Sequence, residues 1–179
     1  MKAATLAKGQ IDEVREVHAL ARHRPGEATA LSDHERDVLA RAVALGAPDP
    51  TALLTREEAS AIAGVPLGGP HLVYGDDSIG VRFTATGPRH QRWSIEVQAF
   101  HAPDEETRFD ACEHWHGFVA EHVAGNDGRP AAGLGEAALE RDGEVYVLAG
   151  PLLFFTTTTP ADTTAAAEAA RRVLTRLEG

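Results

Sequence analysis

Residues 81–99, VRFTATGPRHQRWSIEVQA, contain two stretches in which apolar and polar side chains alternate. The first covers residues 81–86 and the second residues 93–99, with the turn formers Gly87 and Pro88 between them. Alternation with a period of two places the apolar side chains on one face of a strand and the polar ones on the other. The pattern predicts two half-buried antiparallel strands joined by a tight connection.

Another strand precedes these two, between Leu67 and the turn formers Gly75 to Ser78, and three more follow in the second half of the chain. Apolar residues dominate residues 137–141, 144–149 and 152–158, and Asp142-Gly143 has the composition of a two-residue hairpin turn. A helical pattern at residues 104–124 separates the two groups of strands. Another helix, with Thr159 as N-cap and Pro160 in its first turn, occupies the C-terminus. The turns are too short for parallel crossovers. We therefore predict an α+β domain over residues 51–179: one six-stranded antiparallel sheet in two meanders, with helices packed mainly on one face.

The first 50 residues form a predicted N-terminal helical arm. Residues 11–21 have the spacing of an amphipathic helix, and a capping box of Ser32 and Glu35 opens a second helix that ends at Gly46. After the arm, a second capping box of Thr55 and Glu58 opens a short helix that ends at Gly64. Short helices are marginally stable alone, so the arm must dock. It packs either on its own sheet, which we favour, or on another subunit, and a homodimer is the alternative.

Charge and cysteine content exclude several classes of function. The chain has 179 residues, 27 acidic and 17 basic, for a net charge of −10. Such a field repels phosphate backbones and anionic membranes, so we expect neither nucleic acid nor membrane as a partner. Cys112 is the single cysteine and has no internal disulfide partner. No signal peptide and no membrane-spanning run is visible, and we expect a cytoplasmic protein.

Two short motifs suggest a family. Residues 53–64, LLTREEASAIAG, and residues 132–138, AGLGEAA, resemble elements of small actinobacterial lipoproteins and of the extracellular sensor domains of some mycobacterial serine/threonine kinases. The resemblance covers about residues 51–178 and implies an α+β domain with a cleft for an unidentified ligand, without catalytic residues to carry over. The chain lacks the lipid-attachment and paired cysteines usual there, which favours a cytoplasmic relative.

The glycines of the second motif have a structural interpretation. Gly133 and Gly135 lie in neither a phosphate-binding loop nor a dinucleotide-binding motif. We expect them to let the chain enter a strand that packs closely on its neighbour.

The densest group of metal-ligating residue types is centred on Cys112 and His116. Their spacing of four places them on one side of a helix, where they are candidate zinc ligands or a thiol–imidazole pair. The same side carries Phe109 and Val119, so we expect it to pack on the sheet, with His114 projecting elsewhere, beside Phe118. We therefore predict no catalytic residue, metal or cofactor, and an enzyme is less expected than a binding protein.

The aromatic residues give the candidate binding site. Trp93 and Trp115 either fill the core between sheet and helix or line an apolar cleft, with His116 or Arg82 as the polar contact to a ligand. We predict a non-enzymatic module that binds a small ligand or a protein partner. The alternatives are a small metal- or thiol-dependent enzyme using the Cys112/His116 region, and an acidic immunity- or chaperone-like protein that pairs with a basic partner.

Overall fold

The computed structural model describes residues 30–88 and 91–177. The helices of these ranges are α1 Asp33–Ala44, α2 Pro50–Leu53, α3 Arg56–Ala63, α4 Ala111–His114 and α5 Thr163–Leu177. The strands are β1 Gly68–Tyr74, β2 Ser78–Thr86, β3 Arg92–Phe100, β4 Arg129–Pro130, β5 Ala137–Arg141, β6 Glu144–Ala149 and β7 Leu152–Thr159. Helix α4 continues into a π-helical segment, Trp115–Val123, and a 3-10 turn, Ala124–Asn126.

The seven strands form one antiparallel sheet in the order β1-β2-β3-β7-β6-β5-β4. Two meanders meet where β3 pairs with β7, with Ser94 opposite Thr159 and Ala99 opposite Phe154. The α+β class and the single antiparallel sheet are confirmed. The prediction of six strands is wrong, because β4 adds a seventh by pairing with β5. Its two residues, one of them proline, show no alternation that the sequence pattern would reveal.

The main core lies on one face of the sheet, under α2, α3 and α5. Helix α5 approaches the strands closely because most of its buried side chains are alanines, while Phe83 and Phe154 fill the space between the elements. The buried hydroxyl of Thr156 donates to the carbonyl oxygen of Ala166 at 2.8 Å, which satisfies a polar group inside this layer.

A second core lies on the opposite face, under α4 and the π-helical segment. Its buried residues are Phe100, Ala111, Trp115, Val119, Val123, Leu148 and Leu153. Helices therefore lie on both faces: α2, α3 and α5 cover the main core, and α4 with the π-helical segment covers the second core. The π-helical segment covers the half of this face near β5, β6 and β7. Polar residues of β2 and β3 lie beside it.

The predicted helix caps are confirmed in part. Both capping boxes form, Ser32 with Glu35 and Thr55 with Glu58. The helix predicted over residues 104–124 begins only at Ala111, because the chain before it turns around Asp104 and the N-cap is Asp110.

The C-terminal helix also begins later than predicted. We expected Thr159 as its N-cap, but pairing with Ser94 keeps Thr159 in β7. The helix begins at Thr163, and the Asp162 carboxylate accepts from the N–H of Ala165.

The described part of the N-terminal arm packs on its own sheet. Ala42 and Ala47 form a small buried cluster with Leu72 of β1 and Ile79 of β2. The helix predicted over residues 11–21 lies outside the described residues.

Candidate functional site

The four residues predicted to line a cleft lie in different parts of the molecule. Trp93 is half-buried and packs against the main core, whereas Trp115 is 6% exposed and belongs to the second core on the opposite face. Arg82 lies on that opposite face too, where its Nε donates to Glu96 Oε2 at 2.5 Å. His116 is exposed on the solvent side of the π-helical segment. The structure therefore does not bring these four residues together.

The predicted packing of the helix around Cys112 is confirmed for Val119 and wrong for Cys112 and His116. The residues that face the sheet are Ala111, Trp115, Val119 and Val123, at every fourth position. Cys112 and its helical neighbour His116 are both exposed. Burial of the large Trp115 side chain sets this phase, since an indole removes more apolar area from water than the sulfur of a cysteine.

A cavity of about 530 Å³ lies between the β1–β2 turn, the end of β3 and the start of α4. We call it the histidine cavity. Its lining residues are Asp76, Asp77, His101, Pro103, Thr107, Arg108, Phe109, Asp110, Glu113 and His114. Eight of these ten residues are polar or charged, and Pro103 and Phe109 supply the apolar part of the lining.

His101 is the most buried polar side chain of this cavity. Only 6% of the residue is exposed, and its backbone N–H donates to the carbonyl oxygen of Asp77 at 2.8 Å. Its Nδ1 lies 2.6 Å from the carbonyl oxygen of Ala102. Its Nε2 makes no hydrogen bond with the described residues and is not sealed from solvent. The ring is therefore held at one nitrogen and open at the other.

His114 forms the inner wall at the junction of α4 and the π-helical segment. Its ring centroid lies 4.7 Å from that of Phe100, 5.6 Å from Phe109 and 5.5 Å from Phe118. The contact with Phe118 is the one the sequence predicts. Its Nε2 is buried and has no hydrogen-bond partner among the described residues, a costly arrangement inside a protein. π-helical segments often mark functional positions.

The loop after β3 is held by carboxylates. Asp104 Oδ1 accepts from the N–H groups of Glu106 and Thr107. Hydrogen bonding by the Thr107 side chain, and then by these N–H groups, holds the pKa of Asp104 below its ordinary value. The loop is thereby ordered at Thr107, where it forms a wall of the histidine cavity. A second cavity of about 500 Å³ lies against the same segment and is also lined by His101.

A wider groove of about 890 Å³ lies between the loop before β5, the β6–β7 turn and the end of α5. Gly133, Gly135 and Glu136 of the second sequence motif line it, while Leu134 between them is 2% exposed in the main core. Its charged groups already have partners: Glu136 accepts from the N–H of Gly150, and Arg171 pairs with Glu168. The groove is therefore less suited to polar recognition than the histidine cavity.

The sequence analysis did not single out His101 as a lining residue of this cavity. The residue follows a correctly predicted strand, but its neighbours in the cavity come from two loops some 25 residues apart along the chain. The available signal was that both loops are polar and that each adjoins an end of β2 or β3.

Metal-binding and membrane-spanning features are absent from residues 30–88 and 91–177. No three histidine, cysteine or carboxylate side chains there are placed to hold one metal ion. None of the helices in that part of the chain has the length and apolarity needed to cross a bilayer. Comparison with protein-family models, curated proteins and solved structures found no match to this chain.

Proposed function

We propose that the protein is a non-enzymatic binding module that holds a small molecule in the histidine cavity. The observation that carries the proposal is the state of His101: the residue lines the cavity and is buried, one ring nitrogen is bonded to Ala102, and the other makes no hydrogen bond with the described residues. Because Nε2 of His101 is open to solvent and has no hydrogen-bond partner among the described residues, a ligand with a hydrogen-bond donor can pair with it without displacing a contact of the protein.

The lining supports the same proposal. Phe109 and His114 provide an aromatic wall, and charged side chains surround it on the solvent side. A volume of about 530 Å³ is in the range of small-molecule sites. The ordered loop at Asp104 and Thr107 presents this wall in the free protein, which reduces the entropy lost on binding.

A fragment screen followed by NMR tests the proposal. Imidazole C–H signals report directly on His101 and His114, and exposed His34 serves as an internal reference. We expect fragments that shift the signals of His101 and His114 while leaving His34 unchanged. Failure of every fragment to shift the two cavity histidines would contradict the proposed site.

Two variants separate this site from the one predicted from sequence. In His101→Asn the side-chain amide can still donate to the carbonyl oxygen of Ala102, but the acceptor at Nε2 is lost. We expect it to weaken the binding of a fragment hit about tenfold, the scale of one buried hydrogen bond. The matched control His116→Ala changes an exposed histidine outside the cavity and should leave the dissociation constant unchanged. Equal effects of the two variants would refute the assignment.

A further inference from the structure

We infer that the molecule held in the histidine cavity is a compact organic cation that carries an N–H bond and a short apolar part, as a primary arylalkylamine does. The inference rests on the proposed function and specifies its ligand class. It combines the tautomer of His101, the charge of the lining and the aromatic wall.

The tautomer of His101 sets what the ligand must donate. A carbonyl oxygen only accepts hydrogen bonds, so the 2.6 Å contact with Ala102 requires the proton on Nδ1. With the proton on Nδ1, the uncharged form of the ring has a lone pair at Nε2, which can accept a hydrogen bond. The complementary group on a ligand is an N–H or O–H donor.

The charge of the lining selects a cation. Four carboxylates, those of Asp76, Asp77, Asp110 and Glu113, surround the cavity, against the single guanidinium of Arg108. The whole chain, with these groups included, has a net charge of −10. Because the exposed charges attract cations and repel anions over about a Debye length, a positive ligand is favoured both in approach and in the bound state.

The start of α4 does not reverse this preference. A helix N-terminus attracts anions through its unpaired N–H groups. Here Asp110 Oδ1 accepts from the N–H groups of Cys112 and Glu113 at 3.0 Å each, so the anion position is occupied by a side chain of the protein itself.

The aromatic wall favours a cation that also has an apolar part. The rings of Phe109 and His114 both line the cavity, with centroids 5.6 Å apart. The face of a phenyl ring attracts an ammonium group, and its edges pack against hydrocarbon. A ligand with both features fits this wall better than a bare inorganic ion.

Four probes of similar size test the inference by NMR titration. Phenethylamine has a ring, a positive charge and N–H donors; its N,N,N-trimethyl analogue keeps the ring and charge but lacks N–H. 3-Phenylpropionate reverses the charge, and 2-phenylethanol is neutral. We expect phenethylamine to shift the His101 and His114 signals with the lowest dissociation constant, at least tenfold below that of each other probe.

A pair of charge variants controls for general electrostatics. Asp77→Asn removes a carboxylate of the cavity, and Asp37→Asn removes an exposed one on α1. We expect the first to weaken phenethylamine binding threefold or more and the second to have no effect. Equal weakening by both variants would refute a local role for the cavity carboxylates.

The outcomes separate this inference from the proposed function. If 3-phenylpropionate or 2-phenylethanol binds at His101 as tightly as phenethylamine, the cation class is wrong while the cavity stands as a binding site. If the trimethyl analogue binds equally, the donor requirement at Nε2 is wrong. If fragments of other classes shift His101 and none of the amines does, the inference fails alone. If no fragment shifts either cavity histidine, the proposed function fails and the inference with it.

Discussion

Gly135→Ala tests how closely the chain packs as it enters β5. Gly135 has φ of +56°, and a Cβ there would lie 2.4 Å from the carbonyl oxygen of Leu148 and 2.8 Å from Cγ1 of Val147. The same carbonyl oxygen accepts from the N–H of Glu136 at 2.8 Å. Gly133 is the matched control, since its φ is +74° but a Cβ there would meet nothing within 4 Å.

Both substitutions place an alanine in a left-handed backbone conformation, and only Gly135→Ala also creates a steric overlap with β6. A left-handed conformation costs an alanine about 1–2 kcal/mol, partly offset by about 0.4–1 kcal/mol from a less flexible unfolded chain. We therefore expect Gly133→Ala to lower the free energy of unfolding by about 1 kcal/mol. Gly135→Ala must also displace a backbone carbonyl of β6, and overpacking of this kind adds about 2 kcal/mol. Its total is about 3 kcal/mol.

Urea unfolding followed by tryptophan fluorescence measures the difference. Trp93 packs on the main core and Trp115 lies in the second core, so the signal reports on both faces of the sheet. In thermal unfolding followed by the same signal, the melting temperature of a protein of this size should fall by about 2–4 °C in Gly133→Ala and by about 6–12 °C in Gly135→Ala. Equal destabilisation of the two variants, or a larger effect at Gly133, would show that close packing on β6 is not what requires glycine.

Two further predictions concern ionisable groups. Burial raises the pKa of the Glu58 carboxyl, but hydrogen bonds from the Thr55 N–H, Arg176 and the Thr55 hydroxyl outweigh burial and lower it below its ordinary value. Because the folded-state pKa of Glu58 is depressed, Glu58→Gln should lower the free energy of unfolding by about 0.5–1 kcal/mol at neutral pH. In urea titrations, this difference from wild type should vanish as pH falls below about 4. Burial, and then the charge of Glu144, raises the pKa of Tyr146 to about 12. The free energy of unfolding should therefore fall as pH rises from about 10 toward 12, and it should fall less steeply in Tyr146→Phe. Identical dependence on alkaline pH in the two proteins would contradict the raised pKa of Tyr146.

The strands and the helix caps were accessible from the sequence because they depend on neighbouring residues. Alternation around Phe83 and Ile95 predicts β2 and β3, and the pairs Ser32–Glu35 and Thr55–Glu58 predict two helix starts. The role of Gly135 in close packing on a neighbouring strand was also predicted and is confirmed, whereas Gly133 is needed only for its backbone conformation. Each of these features is local in the chain or repeats with a short period.

The candidate site, in contrast, could not be located from the chemistry of single residues in the sequence. Four residues chosen for their chemistry, Trp93, Trp115, His116 and Arg82, turned out to lie on two faces of the sheet and on the surface. The face of a helix that packs on the sheet is the one whose side chains remove more apolar area from water. Trp115 buries more area than Cys112 would, so Trp115 faces the sheet and Cys112 is exposed.

Sequence alone determined the α+β class, the antiparallel pairing and the acidic character of the chain, since period, turn length and charge can be read from adjacent residues. Tertiary structure alone decided the seventh strand, the phase of the helix after Asp110 and the cavity around His101 and His114. These depend on contacts between segments far apart in the chain, where packing selects one of several locally equivalent arrangements.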